Sequence, residues 1–155
     1  MALEQFWQDA RSKIQHHQCV AISTIMTPNV ITLQRTDTIR DAIEIFKAHR
    51  VRHVVVIDEE QKVRGVFTKR DLLNLSKVPL DRMIMRVATP DVFTGGIHQC
   101  TRQVATMMLE NKIGCVPIVS NAQGANSLAG IVTEADFVKA FALGTSCSCG
   151  SMSDA

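Results

Sequence analysis

The chain of 155 residues carries two Thr-x-x-Asp strings, formed by Thr68 with Asp71 and by Thr133 with Asp136. At the start of a helix this spacing predicts a cap, in which the threonine accepts a backbone N–H and the aspartate complements the helix dipole. A carboxylate there can also accept two hydrogen bonds from a vicinal diol, which suits a ribose, while the free N–H groups suit an anion. The strings therefore admit two interpretations, a structural cap and a ligand contact.

Both strings belong to a tandem repeat that covers most of the chain. A shift of 62 residues places Thr27-Pro28 on Thr89-Pro90. Further along, a shift of 65 places residues 65–71 on residues 130–136. The three extra residues fall in a polar, glycine-containing stretch at 121–127, where a loop tolerates insertions. The two strings thus occupy equivalent positions in two copies of one unit.

Hydrophobic periodicity predicts the same order of elements in each copy. Apolar residues at helical spacing, such as Ile39, Ala42 and Phe46, predict a helix between the first two strands. The predicted strands lie at residues 30–32, 53–57 and 63–67 in the first copy and at 92–94, 115–119 and 129–132 in the second. A second helix starts at each Thr-x-x-Asp string. The fold class is therefore α/β (α+β), with two β-α-β-β-α units that pack as one pseudo-symmetric module because neither can bury a large core alone.

Four segments make up the predicted organisation of the chain. They are an N-terminal helix at 1–20, the first repeat at 21–78, the second repeat at 79–143 and a disordered tail at 144–155, which is rich in Ser and Gly. One face of the N-terminal helix carries Leu3, Phe6, Trp7, Ala10 and Ile14. We expect this face to cover the repeats or a second subunit, and docking of a partner protein is the alternative.

Composition excludes several classes of protein. Hydrophobic residues make up 46% and charged residues 21%, which indicates a folded chain. The formal net charge of +2 disfavours a dedicated nucleic-acid binder. No apolar run approaches the roughly 20 residues that span a bilayer, and the N-terminus lacks the apolar core of a signal peptide. We expect a cytoplasmic protein with no membrane contact, whose five cysteines are free thiols.

Catalytic and metal-binding motifs are weak in this sequence. The chain has neither a P-loop nor a Gly-x-Ser-x-Gly motif, so we expect no enzyme, no catalytic residue and no catalytic cofactor. His16-His17-x-Cys19 and Cys147-Ser-Cys149 contain metal-ligating residue types but too few of them. We expect the first motif to lie in a surface segment and the second in a disordered tail, and no metal site is predicted.

The repeat resembles a tandem pair of CBS domains, also called a Bateman module. The resemblance covers about residues 20–143, and the stretches that carry it are Met26-Thr27-Pro28 and residues 50–58, 65–71, 113–119 and 130–136. The resemblance implies two clefts related by pseudo-two-fold symmetry and ligands such as AMP, ADP, ATP or S-adenosylmethionine. It also implies a regulatory role without catalysis and association of two modules as a flat homodimer.

The resemblance assigns residues to two clefts, which we call the Asp71 cleft and the Asp136 cleft. In the family the matching aspartate binds the ribose diol, and each cleft borrows residues from the opposite repeat. The predicted residues of the Asp71 cleft are Thr68, Arg70, Asp71, Arg52, His53 and Phe93. Those of the Asp136 cleft are Thr133, Asp136, Ile31 and Cys115. Phe93 and Ile31 match positions that flank the adenine, although both could equally be core residues.

Charge is expected to distinguish the two clefts. Arg52 and His53 match a basic pair that reaches ligand phosphates in the family, whereas Gly114-Cys115 offers no such donor in the second copy. Arginine is a forked, always charged donor, and histidine adds charge when protonated. We therefore predict a phosphorylated adenosine in the Asp71 cleft and a weaker, empty or less phosphate-selective Asp136 cleft. A solvated basic face is the alternative interpretation, and Arg52 could point across the pseudo-dyad into the Asp136 cleft.

These expectations define a first functional hypothesis and two rivals. The first is a stand-alone CBS pair that senses adenine nucleotides and signals to an unknown protein partner or through its oligomer. A ligand can shift such an equilibrium only by its differential affinity for two states. The rivals are a ligand-free structural or interaction module and a sensor of S-adenosylmethionine or a dinucleotide.

Overall fold

The computed structural model describes residues 4, 5, 8, 19–122 and 126–144. Its strands and helices, in chain order, are β1 (Thr32–Gln34), α1 (Ile39–Ala48), β2 (His53–Ile57), β3 (Val63–Thr68), α2 (Lys69–Leu73), β4 (Thr89–Pro90), β5 (Gly95–Gly96), α3 (Thr101–Asn111), β6 (Cys115–Ser120), β7 (Ser127–Thr133) and α4 (Glu134–Ala142). One sheet has the order β1-β2-β3-β4, and the other has the order β5-β6-β7. The predicted mixed α/β fold of two β-α-β-β-α repeats is confirmed.

The first strand of each repeat begins later than predicted. β1 begins at Thr32 rather than at residue 30, and β5 begins at Gly95 rather than at residue 92. Each is a parallel neighbour of the next strand, with Thr32 opposite Val55 and Gly95 opposite Ile118. The β-branched residues before them lie outside this pairing, because they still belong to a segment that crosses over from the other repeat.

The strand β2 is buried on both faces. Val54, Val55 and Val56 are all 0% exposed. Because side chains alternate along a strand, Val54 and Val56 pack with α1, while Val55 and Ile57 pack against the second repeat. Burial of each such side chain stabilises the fold by about 1.5–3 kcal/mol.

Three hydrophobic clusters build the module. In the first repeat, Ile39, Ala42 and Phe46 of α1 pack on Leu33, Val54, Val56 and Phe67. In the second, Val104 and Met108 of α3 pack on Val116, Ile118 and Val132. Between them, Val55 and Ile57 meet Ile131 of β7. The two repeats therefore pack through their sheets into one pseudo-symmetric module, as predicted.

The segment that precedes the first strand of each repeat joins the sheet of the other repeat. Thr89–Pro90 pairs with β3, where Thr89 lies opposite Val66, and Thr27 forms the equivalent bridge with Ile131. Glycine is required on the receiving strand, since a Cβ on Gly65 would lie 2.8 Å from the Thr89 carbonyl oxygen. A Cβ on Gly130 would lie 2.6 Å from Met26 Sδ and 3.0 Å from the Thr27 carbonyl oxygen. This exchange carries Thr27 to the Thr133–Asp136 string.

The state of the cysteines corrects the prediction of five free thiols. Cys19 and Cys100 form a disulfide, with a Cα–Cα distance of 5.6 Å. They meet because the segment before the first repeat runs along the start of α3, where Ala21 bridges Cys100 and Ile22 N–H donates to the Gln99 carbonyl. Sequence spacing does not reveal this contact. Cys115 is free, and burial raises the pKa of its thiol to about 12.

Some predictions concern residues that the structure does not describe. Glu4, Gln5 and Gln8 are helical, but Leu3, Phe6, Trp7, Ala10 and Ile14 of the predicted apolar face lie outside the described residues. The same holds for His16, His17, Cys147, Cys149 and the predicted tail after Gly144. Within the described part of the chain, no helix combines the length and the apolar character needed to cross a bilayer.

Candidate functional site

The first Thr-x-x-Asp string forms a capping box at the start of α2. Asp71 Oδ2 accepts hydrogen bonds from Thr68 N at 2.7 Å and from Thr68 Oγ1 at 2.8 Å, and Asp71 N donates to Thr68 Oγ1 at 3.2 Å. The predicted structural cap is therefore present. Asp71 Oδ1 accepts no hydrogen bond from any described residue. The cap thus engages one oxygen, and the other can accept a ligand hydroxyl.

The second string repeats the box at the start of α4 and adds a contact from the other repeat. Asp136 Oδ2 accepts hydrogen bonds from Thr133 N at 2.8 Å and from Thr133 Oγ1 at 3.0 Å. Asp136 Oδ1 accepts a hydrogen bond from Thr27 Oγ1 at 3.3 Å. Thr27 is absent from the predicted site residues. The signal that could have found it is the recurrence of Thr27-Pro28 as Thr89-Pro90 before each repeat.

The Asp136 cleft encloses a cavity of about 440 Å³, within the size range of small-molecule sites. Its residues come from both repeats and are Thr27, Arg50, Val51, Arg52, His53, Gly114, Ile131, Thr133, Glu134, Ala135 and Asp136. Of the four residues predicted for this cleft, Thr133 and Asp136 line the cavity, whereas Ile31 and Cys115 do not.

Arg52 and His53 lie where the two clefts meet, since His53 pairs with Thr68 and the Lys69 N–H donates to the Arg52 carbonyl. Both were expected in the Asp71 cleft, and both line the cavity beside Asp136. The reason is the face-to-face packing of the repeats, which sets the start of β2 against the start of β6. A Cβ on Gly114 would lie in van der Waals contact with His53 Nε2, at 3.5 Å, so the imidazole packs against the start of β6.

His53 lies between the two clefts and is half-buried. Burial lowers its pKa below the ordinary value of 6.5, and the guanidinium groups of Arg52 and Arg70 act in the same direction. The carboxylates of Glu134 and Asp71 oppose this shift. The carboxylates of both strings' helices, Glu134 and Asp71, therefore act on His53. A neutral imidazole adds no charge, so the permanent cations of the cavity are Arg50 and Arg52.

The arginines of the Asp136 cleft are free to bind an anion. Neither Arg50 nor Arg52 forms an ion pair within 4 Å of a described carboxylate. Glu134 and Asp136 supply negative charge in the same cavity. The cavity therefore combines two guanidinium groups that can donate hydrogen bonds to an anion with two carboxylates that can accept them. This arrangement suits a ligand that carries both a negative group and hydrogen-bond donors.

The basic residues that follow Thr68 at the start of α2 are Lys69 and Arg70. The Lys69 side chain extends over α1 of its own repeat, where its Nζ lies 5.8 Å from the centroid of the Phe46 ring. Arg70 is exposed at the start of α2. Phe93 is 48% exposed and is therefore not a core residue. The shift of 62 residues matches Cys115 with His53, so the thiol stands where the other copy has an imidazole.

Metal binding finds no support in the described part of the chain. Among residues 4, 5, 8, 19–122 and 126–144, no group of three or more His, Cys, Asp or Glu side chains could hold a metal ion.

Comparison with known proteins identifies relatives of this chain. Residues 22–77 and 101–143 match the CBS domain family. An uncharacterised protein of Methanocaldococcus jannaschii is 31% identical over 120 residues, which are 76% of this chain and 41% of that protein. The chain also spans 20% of a homoserine O-acetyltransferase of Methanosalsum zhilinae and 25% of an inosine-5′-monophosphate dehydrogenase of M. jannaschii, each 27% identical. It thus covers less than half of each relative, including both that are named as enzymes.

Solved structures share the fold over most of its length. A Vibrio cholerae protein assigned to acetoin utilization (AcuB) superposes with a TM-score of 0.72 at 30% identity, over 83% of this chain and 93% of that one. A CBS domain pair in complex with 5′-methylthioadenosine and S-adenosyl-L-methionine has a TM-score of 0.71 at 25% identity, over 81% of this chain and 98% of that one. Because both halves of the repeat match the family and the whole fold matches its paired members, the chain belongs to the CBS domain family as a tandem CBS pair.

Proposed function

We propose that this CBS pair is a regulatory module that binds an adenosine-containing ligand in the Asp136 cleft. The observation that carries the proposal is a single cavity that joins the carboxylate of Asp136 to the guanidinium groups of Arg50 and Arg52, neither of which forms an ion pair with a described carboxylate. A carboxylate suits the diol of a ribose, and a guanidinium suits a phosphate. The related CBS pair in complex with 5′-methylthioadenosine and S-adenosyl-L-methionine supports the ligand class.

The ribose is proposed to bind to Thr27 and Asp136 together. Asp136 Oδ2 already accepts two hydrogen bonds from Thr133, and Oδ1 accepts one from Thr27. One acceptor direction of Oδ1 remains for a ribose hydroxyl. The Thr27 hydroxyl has its own lone pairs and can accept from the neighbouring ribose hydroxyl. Two residues from different repeats would then hold one diol, which couples ligand binding to the packing of the repeats.

AMP, ADP or ATP is the proposed ligand, because the two arginines are placed to neutralise a phosphate. A second candidate is S-adenosylmethionine. Glu134 lines the same cavity, and its carboxylate suits the positive charge of a sulfonium or an ammonium group. The nucleotides and S-adenosylmethionine differ in charge, so removal of one arginine discriminates between them.

The Asp71 cleft is proposed as the weaker of two sites. Asp71 Oδ1 can accept hydrogen bonds from a diol, but the nearby Lys69 is drawn to Phe46. The Asp136 cleft holds the arginine and histidine donors instead. This proposal reverses the ranking of the clefts that was predicted from the sequence.

Regulation is proposed to act through a protein partner or a homodimer. Three large apolar side chains at the end of α4 are exposed, namely Val138, Phe141 and Leu143. The side chain of Phe141 is 74% exposed. Exposed apolar groups of this kind are typical of surfaces that other proteins cover. Analytical ultracentrifugation of the wild type and of Phe141→Asp tests the homodimer, which the aspartate is expected to dissociate.

A cytoplasmic location is also part of the proposal. It predicts that Cys19 and Cys100 are reduced in the cell, since disulfides are rare in that compartment. Alkylation of thiols in intact cells, followed by mass spectrometry of the two cysteines, tests it. Recovery of the disulfide as the main form would place the protein in an oxidising compartment.

Isothermal titration calorimetry with AMP, ADP, ATP and S-adenosylmethionine tests the ligand proposal. We expect Asp136→Asn to weaken nucleotide binding by about 1–3 kcal/mol, because the amide keeps the cap acceptor but presents a donor to the diol. The matched control is Asp41→Asn, since Thr38 and Asp41 form the same capping box at the start of α1, remote from the cavity. Equal loss in both variants would contradict the proposed diol contact of Asp136. No binding by the folded wild type would contradict the whole proposal and favour a ligand-free interaction module.

A further inference from the structure

A second concave site lies at the opposite end of the four-stranded sheet from the Thr68–Asp71 capping box. It is a cavity of about 530 Å³, and its basic residues are Arg35, Arg64 and Arg86. Arg35 follows the carboxyl end of β1, and Arg64 lies near the start of β3. Thr68 lies at the other end of β3, four residues and about 13 Å further along an extended strand. The cavity is therefore separate from the Asp71 cleft, and its lining shares no residue with that of the Asp136 cleft.

Two of its three arginines have no carboxylate partner. Neither Arg35 nor Arg86 forms an ion pair within 4 Å of a described residue. Guanidinium groups remain charged at every physiological pH and bind phosphate through paired N–H donors. The hydroxyl of Thr36, next to Arg35, adds a further hydrogen-bonding group to the lining.

The third arginine is held in place by a buried carboxylate. Arg64 Nε donates to Asp58 Oδ2 at 2.7 Å, and a terminal guanidinium nitrogen lies 2.6 Å from the same oxygen. Burial acts to raise the pKa of Asp58, but hydrogen bonds from Lys62, Arg64 and Glu60 together hold the pKa below its ordinary value. The Asp58 carboxylate thus stays ionised and orients Arg64, while Asp91 is a carboxylate in the lining itself. With Asp58 offsetting Arg64, the arginines without an ion pair are Arg35 and Arg86, and Asp91 leaves the cavity with one net positive charge.

The remaining wall is apolar and can support an organic group. Met83, Met85 and Pro90 lie beside the arginines. Methionine side chains adapt to irregular and aromatic surfaces. The matching hollow of the second repeat carries Ile97 and His98 where this one has Arg35 and Thr36. The basic side chain of Arg35 is therefore specific to the first repeat.

From this arrangement we infer a binding site for a phosphorylated small molecule, with its phosphate between Arg35 and Arg86 and its organic part on Met83, Met85 and Pro90. A phosphomonoester dianion neutralises both free arginines, whereas a monocarboxylate neutralises one. The site does not depend on Thr-x-x-Asp residues, so its test is independent of nucleotide binding in the Asp136 cleft.

The test is an NMR titration of the ¹⁵N-labelled full chain with phenyl phosphate, benzoate and inorganic phosphate. We expect saturable binding of phenyl phosphate, with the largest amide shifts at residues 35–36 and 85–86, and weaker binding of the other two probes. The double variant Arg35→Gln, Arg86→Gln is expected to weaken phenyl phosphate binding about tenfold or more, because it removes two charge-assisted contacts. Both side chains are exposed and unpaired, so the fold should persist.

The matched control is Arg40→Gln, which removes an exposed arginine of α1 outside the cavity. It should leave the affinity for phenyl phosphate unchanged. The inference is overturned if the double variant binds as tightly as the wild type, if benzoate binds as well as phenyl phosphate, or if no probe saturates. Shifts centred on Arg50 and Arg52 would also overturn it, because they would assign the phosphate to the Asp136 cleft.

Discussion

Thr27 Oγ1 donates a hydrogen bond to Asp136 Oδ1 over 3.3 Å, although the two residues are 109 positions apart. The contact joins the segment before the first repeat to the first turn of the last helix. The contact forms because the segment that contains Thr27 pairs with the sheet of the second repeat, where Thr27 bridges Ile131. The Asp136 cleft is therefore assembled from both repeats, and a change in their packing changes its geometry.

Thr27→Val is expected to weaken nucleotide binding by about threefold to tenfold, the equivalent of one net hydrogen bond. Valine keeps the shape of threonine but can neither position Asp136 nor accept from a ribose hydroxyl. Titration calorimetry with the ligand that binds the wild type measures the effect. Thr89→Val is the control, since Thr89 holds the equivalent position beside the other cleft. A larger loss in Thr89→Val would return the main site to the Asp71 cleft.

Local features of the fold could be predicted from the sequence. Both capping boxes follow from three-residue spacing at a helix start, and the strands β2 and β6 follow from continuous aliphatic runs. These features depend on neighbours in the chain. Two copies of each in register also indicate how many units there are, which is why the pseudo-symmetric module is predictable.

Features that depend on how the repeats pack could not be predicted in the same way. The sequence places Arg52 and His53 beside Thr68 and Asp71, because both pairs belong to one repeat. Packing of the sheets also sets Arg52 and His53 against Glu134 and Asp136, while His53 remains paired with Thr68 of its own repeat. The pairing of Cys19 with Cys100 has the same origin, since it joins a segment before the first repeat to a helix of the second.

Gly65→Ala is expected to lower the free energy of unfolding by about 1–3 kcal/mol, as overpacking typically does. The new Cβ would lie 2.8 Å from the Thr89 carbonyl oxygen, and a backbone atom cannot move aside as a flexible side chain can. Chemical denaturation measures the change. Gly96→Ala serves as the control because a Cβ there meets no atom within 4 Å, so a comparable loss in that variant would refute the steric explanation.

Cys19→Ser is expected to lower the free energy of unfolding by about 2–4 kcal/mol when no reductant is present, because the disulfide restricts the unfolded chain over a separation of 81 residues. Denaturation curves with and without dithiothreitol measure it. With reductant, the wild type and the variant should unfold at nearly the same denaturant concentration. If they already coincide without reductant, the disulfide does not contribute to stability.

His53 is expected to make the fold less stable in mild acid. Burial lowers its folded-state pKa below 6.5, so the unfolded chain takes up a proton that the folded protein resists. The free energy of unfolding should therefore fall as the pH drops below about 6.5 and level off once the pH passes the folded-state pKa. Urea denaturation across this range should show a smaller decrease in His53→Gln, whereas the exposed His49→Gln should behave as the wild type. Equal decreases in wild type and His53→Gln would show that other groups carry the acid sensitivity.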